Sequence, residues 1–148
     1  MKSIFFKSSF LGLVAMLLLS NSLFGQTIFF ERIYDETLSQ ASYVIGDAQT
    51  KEVIVIDPKR DIDTYLQIAE KHNLKITKIT ETHIHADFLS GSRELAAVTK
   101  APLYLSDEGG KDWQYDFPHT GLKDGDKISV GSITIEIIHT PGHTPESL

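Results

Sequence analysis

Among its 148 residues the chain has no cysteine. That one absence removes disulfides, thiolate-held zinc, iron–sulfur clusters and cysteine nucleophiles together. A metal, if there is one, has to be held by His, Asp or Glu, and six histidines are available. Basic residues are also scarce: 14 Lys and Arg stand against 20 Asp and Glu, for a net charge of −6. A nucleic-acid binder carries a basic footprint, so no nucleic-acid partner is expected. There is no internal repeat, low-complexity tract or linker. Gly109-Gly110 lacks the lysine and helix start of a phosphate loop, and no Gly-x-Ser-x-Gly nucleophile elbow occurs. Ser90 and Ser92 flank Gly91, but nothing in the sequence places a base beside them. What remains is a length that suits one domain and an apolar content of 41%, ample for a core.

Residues 1–25 read as an export signal. Lys2 and Lys7 precede the apolar run 10–19, and Ser20, Ser22 and Gly25 supply small residues after it. The run falls short of the roughly 20 residues of a membrane span, and no cysteine follows it to carry a lipid. A periplasmic or secreted product without a stable membrane anchor is therefore expected, with its domain at 27–148.

Within that domain, 27–33, 41–45 and 52–57 are rich in β-branched and aromatic residues and predict an antiparallel group of strands, the last stopped by Asp57-Pro58. Ile62, Tyr65, Leu66 and Ala69 recur at helical spacing, with Asp61 as cap and Asn73 as stop. Strands are expected at 75–80 and 102–105, a short helix at 92–98 and a long loop over 106–126. A hairpin, 128–130 and 133–138, closes around Gly131-Ser132. Trp113, Tyr115 and Phe117 alternate within the long loop and read as loop anchors, with a pocket-covering role as the other option. The mixture places the chain in the α/β (α+β) class.

The histidines carry the chemistry. Thr82-His83-Ile84-His85-Ala86-Asp87-Phe88 follows a predicted strand, and in extended backbone alternate side chains share a face. His83, His85 and Asp87 would then converge, with Ile84, Ala86 and Phe88 opposite. Two imidazoles and a carboxylate suit a divalent metal where thiolates are absent. In the second cluster, His139-Thr140-Pro141-Gly142-His143, the Pro-Gly turn presents His143 from a rigid loop. His139 reads either as strand packing or as a hydrogen-bonding support beside the metal. His72 belongs to a helix C-terminus and His119 to a loop.

The string from Thr82 to Gly91, together with Thr140-Pro141-Gly142-His143-Thr144-Pro145-Glu146-Ser147, resembles the metallo-β-lactamase superfamily, and within it the persulfide dioxygenase branch. That resemblance implies an αββα sandwich, of which this chain is the N-terminal portion without the C-terminal half. It implies His83 and His143 as iron ligands, with His85 and Asp87 coordinating or supporting. The cofactor implied is a mononuclear Fe(II), with zinc as the alternative, and the substrate a low-molecular-weight persulfide oxidised to sulfite. Two departures bear on this. Phe88 stands where the hydrolases of the superfamily have a second-metal histidine, and the family's downstream Asp ligand falls beyond Leu148. A zinc thioester hydrolase of the glyoxalase II type is the alternative enzyme, and an inactive fragment the non-enzymatic one. Half of a sandwich with one inner face exposed predicts self-association, as a homodimer.

Overall fold

Runs of β-branched residues dominate the chain wherever it is extended. In the computed structural model, which describes residues 27–148, they form strands β1 (Ile28–Asp35), β2 (Gln40–Asp47), β3 (Glu52–Ile56), β4 (Lys75–Thr80) and β5 (Leu103–Ser106). Three shorter strands follow, β6 (Thr120–Leu122), β7 (Lys127–Val130) and β8 (Ile133–Glu136). Helix α1 (Asp63–His72) links β3 to β4, and α2 (Ser92–Thr99) links β4 to β5. The export-signal reading of residues 1–25 lies outside the described residues. No helix among the described residues is long and apolar enough to cross a membrane.

Strands β1 to β6 form one sheet in sequence order, and β7 and β8 form a second. The β1–β2 and β2–β3 pairs are antiparallel, and β3–β4, β4–β5 and β5–β6 are parallel. Strand periodicity then divides two cores. Val53 and Val55 of β3 pack with Tyr65 of α1 and Leu95 of α2. Ile54 between them faces the hairpin and packs with Ile128 and Val130 of β7. The result is a helix layer, a mixed sheet and a two-stranded sheet.

Two local expectations need correction. Asp61 is not the cap of α1: Ile62 occupies that position and makes no side-chain capping bond, while Asn73 ends the helix in the left-handed conformation as expected. The 106–126 loop contains β6, a strand of three residues with Gly121 at its centre, too short to signal itself in sequence, and its partner is the parallel β5. His72 lies in the last turn of α1, as expected, with its ring packed against Phe29 of β1 at 5.1 Å.

The hairpin is tied to the large sheet at its turn. Gly131 sits at φ +58°, and a Cβ there would meet Asp47 Cβ at 2.8 Å, so both backbone and space call for glycine. Asp47 Oδ2 accepts hydrogen bonds from the Ser132 amide (2.8 Å) and hydroxyl (2.6 Å), and its Oδ1 accepts from the Gln49 amide at 2.8 Å. The bonds from Ser132 hold the Asp47 carboxyl well below the usual carboxylate range. A depressed native pKa gives stability that is present above the unfolded value of about 3.9 and lost as pH falls below it. Asp47→Asn is therefore expected to lower stability at pH 7 and to flatten its acid dependence below pH ~4, measured by urea unfolding across that range. An unchanged acid limb would show that other carboxylates govern it.

Tyr65 links this core to the chemistry above it. Its ring is fully buried, its Oη lies 2.7 Å from Ser42 Oγ and accepts the Lys59 amide at 2.8 Å. The segment after β3 is thereby anchored to α1 and β2.

Candidate metal centre

In a sheet whose parallel strands point one way, ligands gather beyond the carboxyl ends of those strands. Here β3 ends into Asp57 and β4 into Glu81-Thr82-His83, and the Asp57 amide donates to the Thr80 carbonyl at 3.0 Å. Asp57 is buried with a left-handed backbone, φ 52°, a conformation Asp tolerates better than most residues. Gln40 Nε2 donates to the Asp57 carbonyl at 2.6 Å, which helps to hold that conformation.

The Asp57 carboxylate organises both histidines of the first cluster. Its Oδ1 accepts the Thr82 amide at 2.6 Å and its Oδ2 the Thr82 hydroxyl at 2.8 Å. With its proton committed to Asp57, Thr82 Oγ1 can only accept from His83 Nδ1, 2.9 Å away. That leaves the lone pair of His83 on Nε2. His85 Nε2 lies 3.1 Å from Asp57 Oδ1 and 3.2 Å from Glu81 Oε2, which leaves the Nδ1 lone pair free for an ion once the ring is neutral. Carboxylate and hydroxyl partners of this kind orient metal-binding imidazoles.

Glu81 is 3% exposed and also accepts from the Ser90 hydroxyl. The structure thus places a carboxylate beside Ser90, a pairing that the local sequence conceals. Burial pushes the Glu81 carboxyl up, and the nearby Asp57 charge adds to it. Burial pulls His85 down, but its bonds to Asp57 and Glu81 outweigh that and carry its pKa up to about 9. His83 is held below the ordinary imidazole value, first by burial and then by the charge of His85. His83 is therefore neutral and ready to ligate at pH 7, whereas a metal at His85 has to displace a proton.

The His83 and His85 rings are 4.0 Å apart, and His143 stands edge-on to His83 at 4.8 Å. The two loops named by the sequence do meet. His83, His85, Asp87 and His143 share a polar cleft of about 210 Å³ with Asp57 and the β1–β2 turn. Asp87 is exposed at its rim. The tightest group of metal-capable donors among the described residues is Asp57, Glu81 and His85, all within 4.8 Å. Asp57 and Glu81 are the site residues that sequence reasoning passed over. His139 does not face the cleft centre: its Nε2 lies 2.8 Å from the Pro145 carbonyl and so braces the loop that carries His143.

Phe88 departs from the expected alternation. Residues 82–89 form bends rather than an extended strand, so Phe88 swings back until its ring lies 4.4 Å from His85. It walls the polar cleft on one side and on the other a second cleft of about 270 Å³, lined by Ile84, Tyr115 and Phe117. Tyr115 and Phe117 thus line a pocket while also packing against the core as loop anchors, and Trp113 does not line this cleft.

The second loop is clipped to the first by Glu146, fully buried three residues past His143, whose Oε1 accepts the Ile84 amide at 2.6 Å. The Leu148 amide donates to the Thr82 carbonyl at 2.8 Å. Gly109, at φ +79°, lets the long loop lie against this clip, since a Cβ there would meet Glu146 Cβ at 2.8 Å.

Residues 36–148 match the family model of the metallo-beta-lactamase superfamily. The chain belongs to that superfamily. A metallo-beta-lactamase structure from Staphylococcus aureus is 46% identical, with a TM-score of 0.78 over 81% of this chain and 35% of its own. The mitochondrial persulfide dioxygenase ETHE1 of Bos taurus is 26% identical over 82% of this chain and 46% of its own length. The hydroxyacylglutathione hydrolase of Nitrosococcus oceani is 33% identical over 72% and 40%. The chain spans about a third to a half of the length of such curated relatives. Membership makes this a metal-dependent fold, and the imidazole and carboxylate donors at the strand ends fit a divalent ion.

Proposed function

We propose that the protein is the metal-binding part of a mononuclear Fe(II) persulfide dioxygenase that acts outside the cytoplasm. The observation that carries this reading is Phe88. Its ring packs on His85 at 4.4 Å, and the motif resemblance implies a second-metal histidine at this position in the hydrolases. A phenyl group offers no lone pair to a metal, which argues against a two-metal hydrolytic centre and leaves a single ion as the reading. Relatives of both kinds occur, ETHE1 at 26% and a hydroxyacylglutathione hydrolase at 33% identity, so the choice of sulfur oxidation rests on Phe88.

When bound, ferrous iron with open positions supplies the one-electron reactivity toward O2 that side chains lack. The chain's own residues do the rest. His83 through Nε2, His85 through Nδ1 and His143 would hold the ion, and Asp57 fixes the first two tautomers. Phe88 and Ile84 line the neighbouring cleft beside the histidine pair. Overall, a persulfide, dioxygen and water give a thiol, sulfite and two protons.

The full-length protein, loaded anaerobically with Fe(II), is expected to bind one iron per chain. It should consume O2 and release sulfite only when a persulfide is supplied. Two metals per chain, or zinc-dependent thioester hydrolysis without oxygen uptake, would overturn the reading.

A further inference from the structure

Among the described residues, the non-glycine residues with positive φ are Ser39, Lys51, Asp57, Asn73 and Lys100. Four of them are exposed, at turns and helix ends. Asp57 is the exception: it is buried, and Pro58 follows it. A proline pushes the residue before it toward extended backbone. A left-handed Asp57 is therefore strained on two counts, and such strain persists where the surroundings over-determine the conformation.

Two of the ties on Asp57 run to the segment that it organises. Its amide donates to the Thr80 carbonyl, and its Oδ1 accepts the Thr82 amide. The third tie comes from a different element. Gln40 opens β2, a strand paired with both β1 and β3, and its Nε2 donates to the Asp57 carbonyl at 2.6 Å and to the Ala41 carbonyl at 3.1 Å. Two carbonyls on one side demand the nitrogen there, so the amide has one orientation. Gln40 is 7% exposed, and its Oε1 has no hydrogen-bond partner among the described residues. An unpaired buried oxygen costs stability, and a methionine of similar length would not carry it. Packing alone thus gives no reason for glutamine at this position, whereas its two donors do.

We infer that Gln40 is a positioning residue of the metal centre. It pins the Asp57 backbone in the left-handed conformation that aims the carboxylate at Thr82 and His85, and it acts through Asp57 rather than as a ligand. This role in metal binding rests on the reading of His83 and His85 as the metal-holding pair.

The test has one arm without metal and one with it. In the metal-free full-length wild type, both Gln40 side-chain amide protons are expected to exchange slowly with solvent in NMR spectra. The Thr82 amide proton, held by Asp57 Oδ1 at 2.6 Å, reports on where the carboxylate lies. Gln40→Met keeps the side-chain length and deletes both donors, so the Thr82 resonance should move upfield as that bond lengthens. In the second arm, Co(II) affinity at pH 9 should fall about tenfold in Gln40→Met, the lower end of the range for lost partners of ligating histidines. The double variant with Asp57→Ala should bind no more weakly than Asp57→Ala alone, because Gln40 acts through that residue. A Thr82 resonance that stays in place, additive losses in the double variant, or fast-exchanging Gln40 protons in the wild type would each overturn the inference. The wild-type exchange measurement decides even where Gln40→Met does not fold. Because the first arm needs no metal, a protein that binds no Co(II) overturns the metal-centre reading and still reports on the link from Gln40 to Asp57.

Discussion

Asp57→Ala is expected to lower metal affinity about 10- to 100-fold at pH 9 and above, the range found when hydrogen-bonding partners of metal-ligating histidines are removed. The reason is that one carboxylate sets two tautomers. It binds His85 Nε2 directly at 3.1 Å and reaches His83 through the Thr82 hydroxyl. Without it, Thr82 Oγ1 is free to donate to His83 Nδ1, which stabilises the tautomer with its lone pair on the wrong nitrogen for the cleft. The pH dependence separates this from a general loss of structure. In the wild type, the bonds that lift His85 to about 9 also stabilise its protonated form, so protons compete with metal until pH passes that value. Wild-type affinity should therefore climb up to about pH 9 and then level off. In Asp57→Ala part of that support is gone, so the levelling moves to lower pH and the variant's deficit narrows toward pH 6. Competition with a chromophoric chelator across pH 6–10 reads both features. A deficit that is the same at every pH would remove tautomer control from the account.

The elements around this centre were legible because their signals are local. The β-branched runs at β1 to β4 and Asn73 at the end of α1 report on neighbours one to four positions away. The two histidine loops were legible because their chemistry is written in adjacent residues. The supporting carboxylates were not, since Asp57 lies 28 residues before His85 and looks in sequence like the polar end of a strand. Only the parallel pairing of β3 with β4 brings Asp57 beside Thr82 and His85. An acid at the carboxyl end of one strand and a histidine just past the next, joined by a helix, is the pattern that would have flagged it. Ser90 was set aside for the same reason, because its partner Glu81 meets it only across the bend of 82–89. The alternation rule misplaced Phe88 because that rule requires extended backbone, and the chain leaves it at the end of β4.

Glu146→Ala is expected to cost about 1–3 kcal/mol of stability, from removing the charged acceptor of the half-buried Ile84 amide, and to weaken metal binding as well. Both losses come from one contact. Ile84 lies between His83 and His85, and Glu146 lies three residues beyond His143, so the 2.6 Å bond spans the two histidine loops. The backbone bond from Leu148 to the Thr82 carbonyl and that from Thr140 to the Ser147 carbonyl shape the clip but do not replace this link. Loss of the Glu146 acceptor should let the His143 loop drift from the His83 ring it now meets at 4.8 Å. The distance between the loops matters because ligand atoms have to fall within tenths of an ångström of ideal metal geometry. Glu146→Gln discriminates position from charge. Its amide oxygen keeps the acceptor for Ile84 while the negative charge is removed, so a purely positional role predicts near-wild-type affinity. The absorption spectrum of the Co(II)-substituted protein provides a readout that overall stability does not move. Its d–d bands should shift in Glu146→Ala and stay in place in Glu146→Gln. If the two variants lose metal equally, the charge of Glu146 acts on the ion and the clip is secondary.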